Sequence, residues 1–200
     1  VEYTYTVAPR SSLAVVTTGA IIDESSYELA GNEGTNDALL TTVETGGSRV
    51  LVAAVHLAPI PKPRTPDGYV ELRLSTLTGI VLEEMFSETD RSRAIETLLP
   101  IIERRAAEAH VDAVVAAGDF NTIPASRALR SMRDHYVDAL ADTADAATGT
   151  YWKVRFPLRP RVDFIFVSTT VSVVDGGVIR ERWADHFPVY ARILIPSQRS

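Results

Sequence analysis

Short apolar segments with the residue preferences of β-strands recur along the whole chain, and they limit its fold more than any other feature. Each segment is rich in β-branched residues and is bounded by glycine, proline or polar residues. Strands are predicted at residues 13–22, 37–44, 49–56, 111–117, 161–168, 171–174, 177–182 and 187–194. The Gly46-Gly47 pair between the second and third segments indicates a hairpin.

Two or three helices are predicted between these strands. Residues 91–109 carry apolar side chains at three- and four-residue spacing, as expected for one buried helix face, and Pro100 predicts a kink. Thr122 is a predicted N-cap for a helix that begins at residue 123 or 124 and ends at 132. The pattern of residues 68–86 is ambiguous and is compatible with a short helix. Strands in both halves with a few helices predict an α+β fold of packed sheets.

The composition is that of a single soluble globular domain spanning residues 1–200, with 46% hydrophobic and 23% charged residues. The net charge of −6 argues against a broad nucleic-acid-binding face, because such faces are basic. The absence of cysteine excludes disulfides and thiolate metal sites. No apolar run reaches the about 18 residues that cross a bilayer. We therefore expect no transmembrane segment and a monomer, with a cytoplasmic or a secreted location left open.

Polar residues stand where two of the predicted strands end. The tetrapeptide Gly118-Asp119-Phe120-Asn121 directly follows the strand at 111–117. Glycine permits a sharp turn, and the carboxylate and amide can then hold a hard cation or phosphate oxygens. A plain strand-to-helix turn with an Asx cap explains the same residues equally well. His56 ends another strand, where an imidazole can stabilise phosphoryl charge or serve only as a core or surface residue.

A possible acid–base pair lies in the last part of the chain. Asp163 belongs to a predicted strand that is apolar on both faces, so its carboxylate needs a partner. Asp185-His186 precedes the last predicted strand, which could lie beside the strand of Asp163. An aspartate that orients a histidine makes that histidine a stronger base. The alternative is an exposed Asp-His turn.

Four motifs therefore follow one another in a fixed order. They are Val-His-Leu-Ala-Pro around His56, Gly-Asp-Phe-Asn at 118–121, Arg-Val-Asp-Phe-Ile-Phe-Val-Ser from Arg161, and Ala-Asp-His-Phe-Pro-Val from Ala184. With these motifs the chain resembles the endonuclease/exonuclease/phosphatase family, which includes deoxyribonucleases, abasic-site endonucleases, inositol polyphosphate phosphatases and neutral sphingomyelinases. The resemblance implies a deoxyribonuclease I-like fold, a four-layer α/β/β/α sandwich of two mixed sheets.

The resemblance also implies Mg²⁺-dependent hydrolysis of phosphate esters, with Mn²⁺ as a possible substitute. It makes His186 the base that activates water and Asp163 the residue that orients it. Asp119 and Asn121 would hold water, metal and phosphate, and His56 would contact the phosphoryl oxygens or assist the leaving group. The substrate stays open among nucleic acid, a small phosphodiester, an inositol phosphate and a lipid headgroup.

The remaining implied contacts concern metal and substrate. Asp185 would join Asp119 and Asn121 at the metal. Thr150 and Tyr151 stand where the family often has a Thr-aromatic pair facing the cleft. The segment at 150–162 contains basic and no acidic residues. Substrate contacts are therefore predicted for Thr150, Tyr151, Arg155 and Arg161, with an ordinary solvated loop as the alternative.

Two departures from the family pattern stand out. The Asn-bearing strand and the Gln-Glu motif that open most family members have no counterpart, so we expect the C-terminal three-quarters of one such domain. The absent glutamate raises the alternative of a non-catalytic relic or binding module. The proline-rich stretch at 58–67 and the residues to about 90 form a longer insertion after His56, and we interpret it as a substrate-selecting lid.

Overall fold

The computed structural model describes residues 1–9, 11–31, 36–60, 65–70, 73–154 and 159–196. These residues form ten strands and three helices. The strands are β1 (Thr4–Val7), β2 (Ala14–Thr17), β3 (Ala20–Glu28), β4 (Asp37–Thr45), β5 (Ser48–His56), β6 (Ala113–Asp119), β7 (Tyr136–Asp138), β8 (Asp163–Ser168), β9 (Ser172–Val178) and β10 (Val189–Leu194). The helices are α1 (Leu74–Phe86), α2 (Asp90–Ala109) and α3 (Arg127–Arg133).

Six strands form the main sheet, in the order β3-β4-β5-β6-β8-β7. β5 and β6 run parallel, and the other neighbours run antiparallel. A parallel pair needs a long crossover, which contains α1 and α2. The polar residues that end β5 and β6 consequently meet at one end of the sheet.

Helices α2 and α3 cover one face of the main sheet. Leu98 and Ile102 of α2 and Met132 of α3 are fully buried with Phe164 and Phe166 of β8. The three- and four-residue spacing of apolar residues in α2 places them on this buried face. Each buried side chain of this size contributes about 1.5–3 kcal/mol to folding.

Two separate two-stranded sheets, β1-β2 and β9-β10, pack on the opposite face. β2 contacts β4 and β5, whereas β10 contacts β8. Between them lies β6, whose side chains Val115 and Ala117 are only half-buried on this face. Val114 and Ala116, which point to the helices, are buried. A second β layer therefore packs on the main sheet, as predicted. This layer consists of two separate sheets, and the side chains of β6 between them are less buried.

The strands predicted at 37–44, 49–56, 111–117, 161–168 and 187–194 are confirmed to within two residues at each end, but others differ. The predicted strand at 13–22 divides into β2 and β3 around Gly19, where an added Cβ would lie 2.5 Å from the carbonyl oxygen of Glu44. β3 continues through polar residues to Glu28 because it is a largely exposed edge strand. The predictions at 171–174 and 177–182 were wrong, since Ser172–Val178 form the single strand β9.

The helix at 91–109 is confirmed as α2, which continues through Pro100, and the open segment at 68–86 contains α1. The predicted N-cap at Thr122 was wrong. Ser126 caps α3 instead and accepts from the backbone N–H of Leu129, while the buried Thr122 hydroxyl donates to Glu84. None of the three helices in the described residues is long and apolar enough to span a membrane.

Candidate active site

Cross-strand pairing brings three of the predicted residues into one row at the end of the main sheet. His56 of β5 pairs with Asp119 of β6, and Asp119 pairs with Asp163 of β8. Residues paired across neighbouring strands point to the same face of a sheet. The three side chains therefore emerge side by side, although long stretches of sequence separate them.

The row continues to Asp37 of β4, which pairs with His56. Asp37 carries no motif in the sequence, and its side chain is only partly exposed. Burial, followed by the charge of Glu28, raises the pKa of Asp37, while His56 acts in the opposite direction. Asp37 thus adds negative charge beside the imidazole of His56, and the strand register that pairs the two residues is what brings them together.

The turn after β6 requires the residues that the sequence has there. Gly118 adopts φ of 147°, and an added Cβ would lie 1.9 Å from the carbonyl oxygen of Val55 on the neighbouring parallel strand. Asn121 adopts φ of 49°, a left-handed conformation that asparagine tolerates. Between them, Phe120 is fully buried against Phe164 and Phe166. The tetrapeptide therefore alternates residues that anchor the turn with residues that face the site.

Hydrogen bonds fix the orientation of the Asn121 amide. Its Nδ2 donates to the carbonyl oxygen of Leu57 at 2.8 Å and to Asp119 Oδ2 at 2.9 Å. The backbone N–H of Asn121 donates to Asp119 Oδ1 at 2.8 Å. Both amide hydrogens are used in these bonds, so Oδ1 is the atom with which Asn121 can bind a ligand. An amide oxygen suits a hard cation.

Asp163 and His186 form a pair across the two β layers. His186 Nδ1 lies 2.8 Å from Asp163 Oδ2. The prediction that the last strand lies beside the strand of Asp163 was wrong, because β10 belongs to the second layer and packs over β8. The pairing of the two side chains is nevertheless present. With Nδ1–H donating to the carboxylate, Nε2 is left as the basic nitrogen.

The electrostatic surroundings of His186 favour its protonated form. Burial alone would lower the pKa of the imidazole, but the hydrogen bond and charge of Asp163, with the charges of Asp119 and Asp185, outweigh burial. The pKa of His186 is therefore raised above its ordinary value of 6.5. A base with this property takes up a proton readily near neutral pH.

The two imidazoles converge on one carboxylate oxygen. His186 Nε2 lies 3.8 Å and His56 Nε2 4.0 Å from Asp119 Oδ2. All three residues line an open cleft of about 660 Å³. Most of the other predicted residues line it too, namely Asn121, Tyr151, Asp163 and Asp185. The cleft also has apolar walls, including Pro59, Ile60 and Val70.

The predicted substrate contact at Thr150 was wrong. Its side chain is fully buried, and its Oγ1 accepts the backbone N–H groups of Val162 at 3.0 Å and Asp163 at 3.2 Å. Thr150 therefore holds the start of β8. Tyr151 does line the cleft, with its ring centroid 4.9 Å from that of the His186 imidazole.

Trp152 follows the Thr150-Tyr151 pair, but no role at the site was predicted for it. Its indole Nε1 donates to the carbonyl oxygen of Ala184 at 2.7 Å, and the Arg182 guanidinium lies 4.9 Å from the ring centroid. These contacts hold the segment that carries Asp185 and His186. The adjacent Thr150-Tyr151 motif was the only signal in the sequence, and it does not indicate where the indole points.

The predicted substrate contact at Arg161 was also wrong. Its guanidinium is buried, donates to both carboxylate oxygens of Asp138, and lies 4.3 Å from the centroid of the Phe164 ring. The guanidinium is therefore directed into the core, and Arg161 is not among the residues that line the cleft. The prediction for Arg155 lies outside the described residues.

Oxygen donors for a divalent cation are present in the cleft. Ligand atoms of Asp119, Asp163 and His186 lie within 4.8 Å of one another. Asp185 lines the same cleft but is not part of that group. Carboxylates with the Asn121 amide oxygen form the donor set that Mg²⁺ and Mn²⁺ prefer. The side chains present thus fit a hard cation.

The main sheet is mixed, with helices on one face and strands on the other. This is the arrangement of a deoxyribonuclease I-like fold, and the Asp–His pair and the Asp/Asn turn lie at one end of the sheet. Residues 34–186 match the sequence profile of the Endonuclease/Exonuclease/phosphatase family, and the chain belongs to that family. Members of this family are phosphoester hydrolases. No curated protein matches the chain by sequence.

Solved structures agree with this fold. The human Nocturnin catalytic domain, solved with a bound sulfate anion, is 16% identical, with a TM-score of 0.67 over 97% of this chain and 73% of that one. A mannosyl-6-phosphatase from Bacteroides thetaiotaomicron is 14% identical, with a TM-score of 0.68 over 96% of this chain and 77% of that one. A conserved Enterococcus faecalis protein of unknown function is 16% identical, with a TM-score of 0.66. The predicted fold is confirmed.

Proposed function

We propose that this protein hydrolyses phosphate esters with the help of a divalent cation, and that His186 is the general base. The orientation of His186 carries the proposal. Its Nδ1 is bonded to Asp163, and its Nε2 faces the cleft 3.8 Å from Asp119. This is the geometry of a base that takes a proton from a water held at the Asp119 end of the cleft.

The proposed reaction begins with a water molecule that donates a proton to His186 Nε2. The resulting hydroxide attacks phosphorus in line with the ester oxygen, and the bond from phosphorus to that oxygen breaks. Asp163 stabilises the imidazolium, since its carboxylate already accepts from Nδ1. Phosphoryl transfer depends mainly on such positioning and charge stabilisation.

His56 would act on the opposite side of Asp119 from His186, because Asp119 lies between the strands of His56 and Asp163. Its Nε2 lies 4.0 Å from the shared oxygen Asp119 Oδ2, and its side chain lines the cleft and is 43% exposed. In its protonated form it can donate to a phosphoryl oxygen or to the departing ester oxygen. The two histidines would therefore serve the attacking and leaving sides of one phosphoryl group.

Asp119, Asp185 and the amide oxygen of Asn121 would hold Mg²⁺, or Mn²⁺ in its place. A cation there supplies charge neutralisation to the phosphoryl oxygens. The proposal for these three residues is supported by the donor types and by their place in one cleft. Asn121 Oδ1 is the best defined of them, because the hydrogen bonds of Nδ2 fix which way the amide faces.

The test measures Mg²⁺-dependent hydrolysis of bis-p-nitrophenyl phosphate and of p-nitrophenyl phosphate. We expect activity that EDTA abolishes and Mg²⁺ restores, and that His186→Ala lowers by about 10²–10⁴-fold. His135→Ala is the control, because His135 pairs with Glu103 on the surface and is not among the cleft residues. Activity that survives both EDTA and His186→Ala would refute the proposal. Binding of inorganic phosphate without turnover would favour the binding module instead.

A further inference from the structure

A buried ion pair lies beneath two loops, one that follows His56 at the end of β5 and one that contains Asn121. Glu84 of α1 and Arg91 of α2 are 2% and 6% exposed. Arg91 donates to the Glu84 carboxylate through Nε at 3.1 Å and through Nη2 at 2.5 Å. The fork-shaped guanidinium is thereby fixed in one orientation.

Each partner of this pair also bonds to one of the loops. Arg91 Nη1 donates to the carbonyl oxygen of Ala58 at 3.0 Å, two residues beyond His56. Glu84 Oε2 accepts from the hydroxyl of Thr122, the residue after Asn121. Thr122 is fully buried, so its hydroxyl bond to Glu84 is shielded from water.

The two loops are joined to each other on the side of the cleft. The backbone N–H of Leu57 donates to the carbonyl oxygen of Asp119 at 2.9 Å, and Asn121 Nδ2 donates to the carbonyl oxygen of Leu57 at 2.8 Å. The N–H of Ala58 donates to Asn36 Oδ1 at 2.8 Å. The two loops are therefore bonded to each other on the side of the cleft and to the ion pair on the side of the helices.

Stability alone does not account for the pair. A buried ion pair gives little net stabilisation compared with apolar residues of the same size, because both charges lose their water. α1 is a largely apolar helix, yet Glu84 is its one buried residue. The helix thus contributes a carboxylate to the interior, whereas its leucines and phenylalanine are exposed or half-exposed. This arrangement favours a role in placing the loops.

We propose that Glu84 and Arg91 are positioning residues that hold His56 and Asn121 at the separation needed to act on one phosphoryl group. The inference rests on the proposed function for the catalytic consequence, but the placement of the loops is a property of the protein itself. A displacement of about 1 Å at such a site is enough to lower turnover about 10²-fold.

The test uses two variants, each of which weakens one arm of the network. Thr122→Val removes the hydroxyl bonded to Glu84 while keeping the shape of the side chain, and Thr122→Ser keeps the hydroxyl. Arg91→Lys keeps the charge but loses the fork that reaches both Glu84 and Ala58. Ile102→Ala, on the buried face of the same helix α2, serves as the control for lost stability without a lost loop contact.

We expect Thr122→Val and Arg91→Lys to lower kcat about tenfold or more while KM changes little, and Thr122→Ser to retain activity. Equal kcat in Thr122→Val and Thr122→Ser would overturn the inference. The inference would also be overturned if Ile102→Ala had the same melting temperature as Thr122→Val and Arg91→Lys and lost as much activity as they do.

A second readout needs no activity. In the substrate-free protein, NMR should show a changed Asn121 side-chain amide resonance in Thr122→Val and a changed His56 imidazole resonance in Arg91→Lys. Thr122→Ser and Ile102→Ala should leave both close to the wild type. Unchanged resonances in all variants would overturn the inference. Changed resonances in a protein without turnover would support it while rejecting the proposed function.

Discussion

His186 Nδ1 lies 2.8 Å from Asp163 Oδ2, and this contact joins the two β layers at the candidate site. Asp163 begins β8 in the main sheet, whereas His186 precedes β10 in the second layer. The apolar cluster that contains Ile165 and Val189 packs these strands together. The orientation of the proposed base therefore depends on core packing between the layers as well as on its own hydrogen bond.

Replacing Asp163 with asparagine should lower the pKa of His186. Burial lowers this pKa in both proteins, but the hydrogen bond and charge of the carboxylate raise it only in the wild type. Since the base must be neutral, the acidic limb of the kcat/KM profile should move to lower pH, while the maximal rate falls about 10²–10⁴-fold because the imidazole loses its orientation. NMR titration of the metal-free protein measures the pKa directly, with Asp142→Asn as an exposed control. Equal pKa values in the wild type and Asp163→Asn would contradict this.

The same contact predicts a pH-dependent contribution to stability. The folded-state pKa of His186 is raised above 6.5, so the protonated imidazole stabilises the folded protein. This contribution is fully present below the unfolded-state pKa and is lost as the pH rises through the folded-state pKa. Urea denaturation should therefore show that the difference in unfolding free energy between wild type and Asp163→Asn shrinks over that interval. A difference that grows with pH would count against the assignment.

Gly118→Ala should destabilise the protein far more than a typical glycine replacement. The added Cβ would lie 1.9 Å from the carbonyl oxygen of Val55, and the φ of 147° is unfavourable for alanine. We expect a loss of at least about 2–3 kcal/mol in unfolding free energy. Gly79→Ala is the matched control, because Gly79 lies in α1 with open space around it and should gain up to about 1 kcal/mol. Equal effects in urea denaturation would rule out the close approach at Gly118.

The row of His56, Asp119 and Asp163 could be predicted because each residue carries a local signal. Each ends or begins an apolar strand, and polar residues at strand ends meet at a sheet edge. The cap of α3 could not be predicted in this way. Thr122 and Ser126 are both good N-cap residues, and the choice between them is made by Glu84, which takes the Thr122 hydroxyl.

Burial direction explains most of the failures among the site residues. Thr150 and Arg161 stand in a segment with basic and no acidic residues, and the sequence does not indicate that both side chains turn inward. Glu84 was overlooked for the opposite reason, since an acidic residue near the end of an apolar segment suggests a solvated face. Thr150 bonds to Val162, Arg161 to Asp138, and Glu84 to both Arg91 and Thr122. No local pattern in the sequence indicates these pairings, so only the folded chain reveals them.

Arg161→Met should lower stability without weakening substrate binding. The guanidinium bonds both carboxylate oxygens of Asp138, and removing one partner of a buried pair costs about 3–5 kcal/mol. Replacing Asp138 with leucine in the same protein should recover much of that loss, because no buried charge is then left alone. KM for bis-p-nitrophenyl phosphate should match the wild type at a temperature where the variant is folded. A raised KM with unchanged stability would return Arg161 to the substrate site.

Thr150→Val should reduce both stability and activity, because Thr150 Oγ1 accepts the N–H groups of Val162 and Asp163. Valine fills the same space but leaves buried donors without a partner, which costs about 1–3 kcal/mol. Thr150→Ser keeps the acceptor and should resemble the wild type in both urea denaturation and turnover. If the hydroxyl fixes the start of β8, the imidazole of His186 should also report its loss, through an altered NMR resonance in Thr150→Val alone. If Thr150→Val lowers stability but leaves the His186 resonance unaltered, Thr150 contributes to stability alone. The position of Asp163 would then not depend on the Thr150 hydroxyl.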